Sequence, residues 1–321
     1  MDAEPVPPRR RSLLVDGLPV AALAVTLAAA CGRWHWLPDL ANHFRWYYLA
    51  WALAWLPLAA LYRSGRLAWL CLGAVIALNG WAMLPYWLPA PTVTAPSGAV
   101  PLTLVSLNVL TSNRDTAAVV GYLRRRTPDI AVVLEVDDAW AQALRELDEV
   151  FPHRLVHPRT DNFGIAILSR HPLEDARVVE FGGVDVPSIV ARVVRDAGGL
   201  TVVATHPMPP LGAGNARDRD TALRALADHV AAAPPPCIVA GDFNATPWCA
   251  AFRDLVTRSG LRDTALGRGV QPTWNARSWV PRIPIDHVLA PPGTVVLRRA
   301  VGPDVGSDHF PVEAELVLPP P

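Results

Sequence analysis

The sequence predicts one α/β domain of roughly 220 residues carried behind three transmembrane helices. Three observations predict it. Eight of the twelve tryptophans lie before residue 90, inside or beside three long apolar runs. Beyond residue 101, short runs rich in Val and Ile alternate with helix-like segments, the pattern of a layered α/β domain. Four of those eight runs lead, directly or one residue further on, into Asn108, Glu135, His206 or Asp242.

The apolar runs are Leu18–Gly32, Trp46–Leu61 and Leu67–Leu88. A spanning helix needs about 20 apolar residues, so the third qualifies outright and the first two qualify with their aromatic flanks. Residues 1–88 are therefore read as a membrane anchor of three spans. Arg9, Arg10 and Arg11 precede the first span and Arg63 and Arg66 separate the second from the third, against Arg33 and Arg45 in the first loop. That bias places the N-terminus in the cytoplasm and the rest of the chain, after three crossings, outside it. Trp34, Trp36, Trp46, Tyr47, Tyr48, Trp81, Tyr86 and Trp87 fall at the ends this topology makes external, where amphipathic rings rest at an interface. Three other readings remain: "RRRSLL" resembles a twin-arginine export signal, "LAAAC" ending at Cys31 resembles a lipoprotein cleavage site, and the runs could be buried helices of a soluble protein.

Residues 89–101, "PAPTVTAPSGAVP", form a stiff Pro-rich spacer. Strands are expected at Leu102–Leu107, Ile130–Leu134, Gly164–Leu168, Ser188–Val194, Leu200–Ala204, Cys237–Ala240, Ile285–Leu289 and Val312–Leu316. Helices are expected at Asp115–Arg126, Asp138–Val150, Ala216–Ala232 and Trp248–Ser259, with Asp115 and Asp138 as N-caps. The four cysteines have no metal-type spacing and read as buried thiols, with a Cys237–Cys249 disulfide as the alternative. All 29 basic residues other than His are Arg, consistent with a GC-rich bacterial genome.

The strand ends carry the chemistry. Asn108 ends "VSLN", Glu135 ends "AVVLE", His206 ends "VVATH", and Asp242 with Asn244 ends "CIVAGDFN". Asp286 opens "IDHV", and Asp308 with His309 precedes the last strand in "SDHFP". Polar groups on loops held by a rigid sheet are where catalysis is usually placed. Carboxylate and amide oxygens suit a hard cation, Mg²⁺ or Mn²⁺, which takes substrate phosphate oxygens as further ligands. His287 neighbours Asp286, and period-two alternation sends the two to opposite faces. Asn113, Arg217, Arg219 and Asp220 are weaker candidates, as is an aromatic loop at Pro272–Trp279.

In order and spacing, "SLNVL", "LEV", "GIAILSR", "THP", "GDFN", "IDHV" and "SDHFP" resemble the endonuclease/exonuclease/phosphatase superfamily, over residues 102 to 318. The resemblance implies a deoxyribonuclease I-like two-sheet α/β sandwich over residues 102–321. It implies that Glu135 is the principal metal ligand, helped by Asn108 and Asp308. It makes Asp242 the residue that orients or deprotonates the attacking water, and Asn244 a phosphate holder. His309, oriented by Asp286, would stabilise the pentavalent phosphorus, and His206 would be a second phosphate-facing histidine and proton donor.

Three spans followed by this domain look like bacterial membrane proteins associated with teicoplanin resistance. That layout implies a lipid-linked phosphate or polyprenyl pyrophosphate as substrate. A surface nuclease is the alternative, but from residue 97 onward 22 Arg face 25 Asp plus Glu, and strong polyanion binders carry a basic balance instead. A catalytically inactive interaction module is the third reading, disfavoured because every motif position keeps the required residue type.

Overall fold

Alternate residues of the same strands serve two different apolar layers, and this builds two six-stranded mixed sheets. The computed structural model describes residues 13–89, 94–196 and 198–319. In chain order the strands are β1 (Leu102–Asn108), β2 (Ile130–Leu134), β3 (His153–His157), β4 (Ile165–Ser169), β5 (Leu173–Glu180) and β6 (Pro187–Val193). They continue with β7 (Leu200–Thr205), β8 (Cys237–Asp242), β9 (Arg262–Asp263), β10 (Asp286–Ala290), β11 (Val295–Val301) and β12 (Val312–Val317). The helices are α1 (Leu13–Ala30), α2 (Trp36–Asn42), α3 (Arg45–Leu61), α4 (Arg66–Trp87), α5 (Thr116–Arg126), α6 (Asp138–Ala143), α7 (Ala213–Ala232) and α8 (Ala250–Ser259).

The first sheet runs β11-β12-β1-β2-β4-β3 and the second β5-β6-β7-β8-β10-β9. Leu102, Leu104, Ile130, Val132 and Ile167 of one sheet pack on Ile189, Val202, Ile238, Ala240 and Val288 of the other. The intervening residues face outward: Val105, Leu107, Ala131 and Val133 against α5 and α6, and Val203, Cys237, Val239 and Leu289 against α7 and α8. The result is a four-layer sandwich in which each fully buried Val, Leu or Ile contributes about 1.5–3 kcal/mol. The two-sheet α/β expectation is met. Cys237 and Cys249 are not joined by a disulfide.

All eight expected strands form, to within two residues at their ends. The four that the sequence did not reveal, β3, β5, β9 and β11, are the four sheet edges. Edge strands bury less and carry charge, so β5 ("LEDARVVE") and β11 ("VVLRRAV") show no sustained apolar run. Asp115 caps α5 as expected, its carboxylate accepting from Ala118 N. The α6 cap is Asp137 rather than Asp138, because Asp137 is the extended residue whose carboxylate accepts from Trp140 N (2.8 Å). The expected helix to Val150 instead tightens into a 3-10 turn over Leu144–Leu147.

The chain divides into two units, Met1–Pro85 and Tyr86–Pro321. The first is helical, and it corrects the three-span expectation. Two helices, Leu13–Ala30 and Arg66–Trp87, are long and apolar enough to cross a membrane. The 17-residue α3 is not one of them. It also opens on Arg45, which is buried and donates to Asn42 Oδ1 (2.7 Å) and Asn79 Oδ1 (3.4 Å), while Asn79 donates to Thr26 Oγ1 (3.2 Å). An outer-face placement of the catalytic unit needs an odd number of crossings, so it no longer follows from the arginine bias. Arg9, Arg10 and Arg11, and the 90–93 part of the spacer, lie outside the described residues.

Gly241 decides how closely β7 and β8 pair. Its φ is +153°, and a Cβ there would stand 1.9 Å from the Thr205 carbonyl oxygen. Gly241→Ala is expected to cost about 4 kcal/mol or more, seen as a lower denaturant midpoint or loss of soluble protein. A variant as stable as wild type would contradict this packing.

Candidate active site

Register brings the strand-end residues together. Asp242 of β8 pairs directly with Asp286 of antiparallel β10, and Gly241 pairs with Thr205, so His206 emerges beside Asp242. In the other sheet Asn108 pairs with Leu134, which sets Asn108 beside Glu135. On β8, β10 and β7, residues Ile238, Val288 and Val202 line the seam between the sheets; two-residue alternation then sends Asp242, Asp286 and His206 to that same side. Since β1 and β2 pack across β8, all these ends meet at one rim.

Glu135 breaks the alternation. Following Leu134, it would face the helix layer, but its φ of +62° turns the chain out of the strand. Its carboxylate accepts from Asn108 Nδ2 (2.9 Å), Thr111 N (2.9 Å) and Thr111 Oγ1 (3.3 Å).

Asp242 is the hub. Its Oδ1 accepts from Asn244 N at 2.8 Å. Its Oδ2 lies 3.4 Å from Asn108 Nδ2, 3.4 Å from His206 Nε2 and 3.6 Å from His309 Nε2. His309 Nδ1 is 2.8 Å from Asp286 Oδ2. Burial alone would strip the proton from His309, but the carboxylates of Asp286 and Asp242 and the Asp286 hydrogen bond lift its pKa to about 10. His206 is moved the same way: burial opposes the charge, and the bond and charge of Asp242, with Glu135 beyond, raise the pKa. Asp242 is pushed up by burial and pulled further down by His309, His206 and the Asn244 N–H, so it is held below the usual carboxylate range. The rim thus holds an ionised aspartate between the imidazolium of His309 and the ring of His206.

Donors on Asp242, Asp286 and His309 lie within 4.8 Å of one another. Yet His309 sits between the two carboxylates with both ring nitrogens turned to them, which holds protons rather than a cation. Glu135 fits a hard divalent ion better. It is buried, and its hydrogen bonds come from neutral donors, with no cation at ion-pair distance among the described residues. Asp308 presents a buried Oδ1 with no hydrogen-bond partner among the described residues, while its Oδ2 accepts from Trp274 Nε1 (3.1 Å). Asn108 turns its NH₂ to Glu135 and Asp242, while its Oδ1 accepts from Leu110 N (2.9 Å).

Asn244 has φ +47° and donates to the Pro207 carbonyl (2.9 Å), so its amide nitrogen is committed to the turn. His287 faces the helix layer as expected, 2.9 Å from the Ala245 carbonyl and against Phe243 and Phe252. Asn113 is structural, donating to Val109 O and accepting from Asp115 N. Buried Arg219 reaches the Asn244 carbonyl (3.3 Å) and pairs with Asp220.

Sequence reasoning missed Thr111 and Ser307, while Trp274 lies in the aromatic loop it named. Ser307 donates to Asn108 O (2.7 Å) and accepts from His309 N (3.0 Å), joining β1 to the loop that carries Asp308 and His309. Its place in "SDH" was the signal available.

In metal-free protein, NMR should show the His309 imidazole protonated through pH 8 and titrating near 10. A transition near 6.5 would contradict the two-carboxylate environment.

The profile of the Endonuclease/Exonuclease/phosphatase family matches residues 105–309. Among solved structures, the chain is similar to an endonuclease/exonuclease/phosphatase from Beutenbergia cavernae DSM 12333, at 24% identity and TM-score 0.57 over 68% of this chain and 72% of that one. A Bacteroides vulgatus endonuclease/exonuclease/phosphatase gives 18% identity and TM-score 0.58 over 68% and 100%. D. rerio TDP2 complexed with single strand DNA product gives 20% identity and TM-score 0.57 over 67% and 98%. Among curated protein sequences none matches the chain.

Proposed function

From the premise that this chain belongs to the endonuclease/exonuclease/phosphatase family, whose members are phosphoester hydrolases, we propose a membrane-tethered, divalent-metal-dependent phosphohydrolase acting on a lipid-linked phosphate or pyrophosphate. The observation that carries the lipid reading is the pair of helices, Leu13–Ala30 and Arg66–Trp87, long and apolar enough to hold the chain at a bilayer. Tethering raises the effective concentration of a substrate confined to the same bilayer without any new contact. A membrane-anchored nuclease is the second reading, favoured by the likeness to a TDP2 structure that holds a single strand DNA product.

Glu135 and Asp308 are the residues that would hold Mg²⁺ or Mn²⁺. When bound, the ion polarises a phosphoryl oxygen and offsets charge developing on it. Asp242, ionised and fixed through Asn244 N, accepts a proton from the attacking water as the new O–P bond forms. The imidazolium of His309, held by Asp286, faces the charge that grows on the phosphoryl oxygens. His206 Nε2 supplies the proton that the leaving oxygen takes as its bond to phosphorus breaks. Asn108 keeps Glu135 and Asp242 in register, donating toward both.

Asp242→Asn should lower turnover roughly 10³-fold while leaving the fold intact, because the base is lost and the shape kept. Glu135→Ala should raise the Mg²⁺ concentration for half-maximal activity at least about tenfold; an unchanged metal titration would remove Glu135 from the ion. The substrate is tested with detergent-solubilised full chain and Mg²⁺ or Mn²⁺, following phosphate release from polyprenyl pyrophosphate beside a DNA nicking assay, with Asp242→Asn as the blank. Lipid hydrolysis that vanishes in the blank supports the first reading, and nicking alone supports the second.

A further inference from the structure

The segment "QPTWNARSWVPRIP", Gln271 to Pro284, contains two arginines and no acid. It leads into Asp286 and is tied to the loop bearing Asp308 and His309 at several points. Trp274 Nε1 donates to Asp308 Oδ2, Ala276 N to Asp308 O (2.7 Å), Arg277 to Gly306 O (2.9 Å) and Phe310 N to Thr273 O (3.0 Å). Arg282 clamps the segment from within. Its guanidinium donates to the carbonyls of Asn275, Ser278 and Ala276 and lies 5.3 Å from the Trp279 ring and 4.9 Å from the Phe310 ring.

Trp279 is therefore held in place, and yet it is 87% exposed, with Val280 at 68%. A fixed indole left in water beside a reactive site marks a surface that something else covers. The loop after His206, residues 207–212, adds Leu211, 79% exposed, and carries no acid. Because β7 and β10 flank β8, both loops leave the sheet at the end that carries Asp242. Exposed Arg277 stands in the Gln271 to Pro284 segment, and exposed Arg217 near the start of α7, the helix that the loop after His206 leads into.

We propose that this rim is a bilayer-contact surface. Trp279, Val280 and Leu211 enter the interfacial region, and Arg217 and Arg277 meet anionic headgroup phosphates. The site then opens toward lipid-borne phosphate. This rests on the lipid reading above and adds the residues that engage the lipid. A nucleic-acid strand fits less well: it would stack on Trp279, but Val280 and Leu211 offer neither a stacking face nor a hydrogen bond.

The test uses the full chain in nanodiscs, with Cys31→Ser and Trp279→Cys and an environment-sensitive fluorophore on the introduced thiol; the other cysteines are buried. Lipid carrying a headgroup nitroxide should quench the fluorophore, more strongly when anionic lipid is present. The same label placed by Arg145→Cys, in the helix layer outside the first sheet, should be quenched far less. Independently, Trp279→Ala should raise KM for polyprenyl pyrophosphate in the disc about tenfold, Trp279→Phe should restore most of it, and kcat on water-soluble bis(p-nitrophenyl) phosphate should stay within about twofold. Equal quenching at the two positions, an emission change only with a single-stranded oligonucleotide, or equal losses on both substrates would overturn the surface. Quenching at position 279 with hydrolysis of the soluble ester alone would retain the surface and sink the substrate reading instead.

Discussion

One constraint organises the catalytic unit: Asp242 is a buried, ionised carboxylate that the fold must compensate from both sheets. Burying such a charge without partners costs several kcal/mol. Here the offset comes from His206 on the neighbouring strand, His309 held by Asp286, and the N–H of Asn244 two residues on. His206 reaches Asp242 through the pairing of β7 with β8, and His309 through Asp286, the β10 residue paired with Asp242. Slipping β8 against β10 by one residue would turn every side chain of β8 to the wrong face and separate Asp242 from Asp286. Gly241, which lets β8 approach Thr205, is thus as much a part of the site as the charged groups.

The second sheet contributes through Asn108, which bonds to Glu135 and reaches Asp242, and through Ser307, which bonds the end of β1 to the His309 loop. Two half-sites are thereby held at a spacing set by the apolar seam between the sheets. Among the described residues Glu135 is met by neutral donors, whereas His309 is met by two carboxylates. On the proposed mechanism that asymmetry would separate the place for a cation from the place for a proton, although all these groups share one rim.

What the sequence made legible follows from burial. Central strands such as Ile130–Leu134 read as unbroken apolar runs because both faces are covered, and their polar terminators stood out for the same reason. The edge strands β3, β5, β9 and β11 did not read, since they need only one apolar face. Side-chain direction at Glu135 and Asn244 was not legible either, because it depends on left-handed backbone that no residue pattern announces. In the helical unit, Trp46–Leu61 looked long enough to span until Arg45 proved to be bound into the bundle by Asn42 and Asn79. Hydropathy counts apolar residues, and it does not see which polar ones are satisfied inside.

The most direct measurement of the central claim is a double-mutant cycle between Asp242→Asn and His309→Gln, read as kcat/KM on a water-soluble phosphodiester. If Asp242 and His309 act as one charge-coupled unit, the double variant will be within about threefold of the slower single variant. Losses that multiply independently would contradict a shared buried charge at Asp242 and would require two separate sites of action.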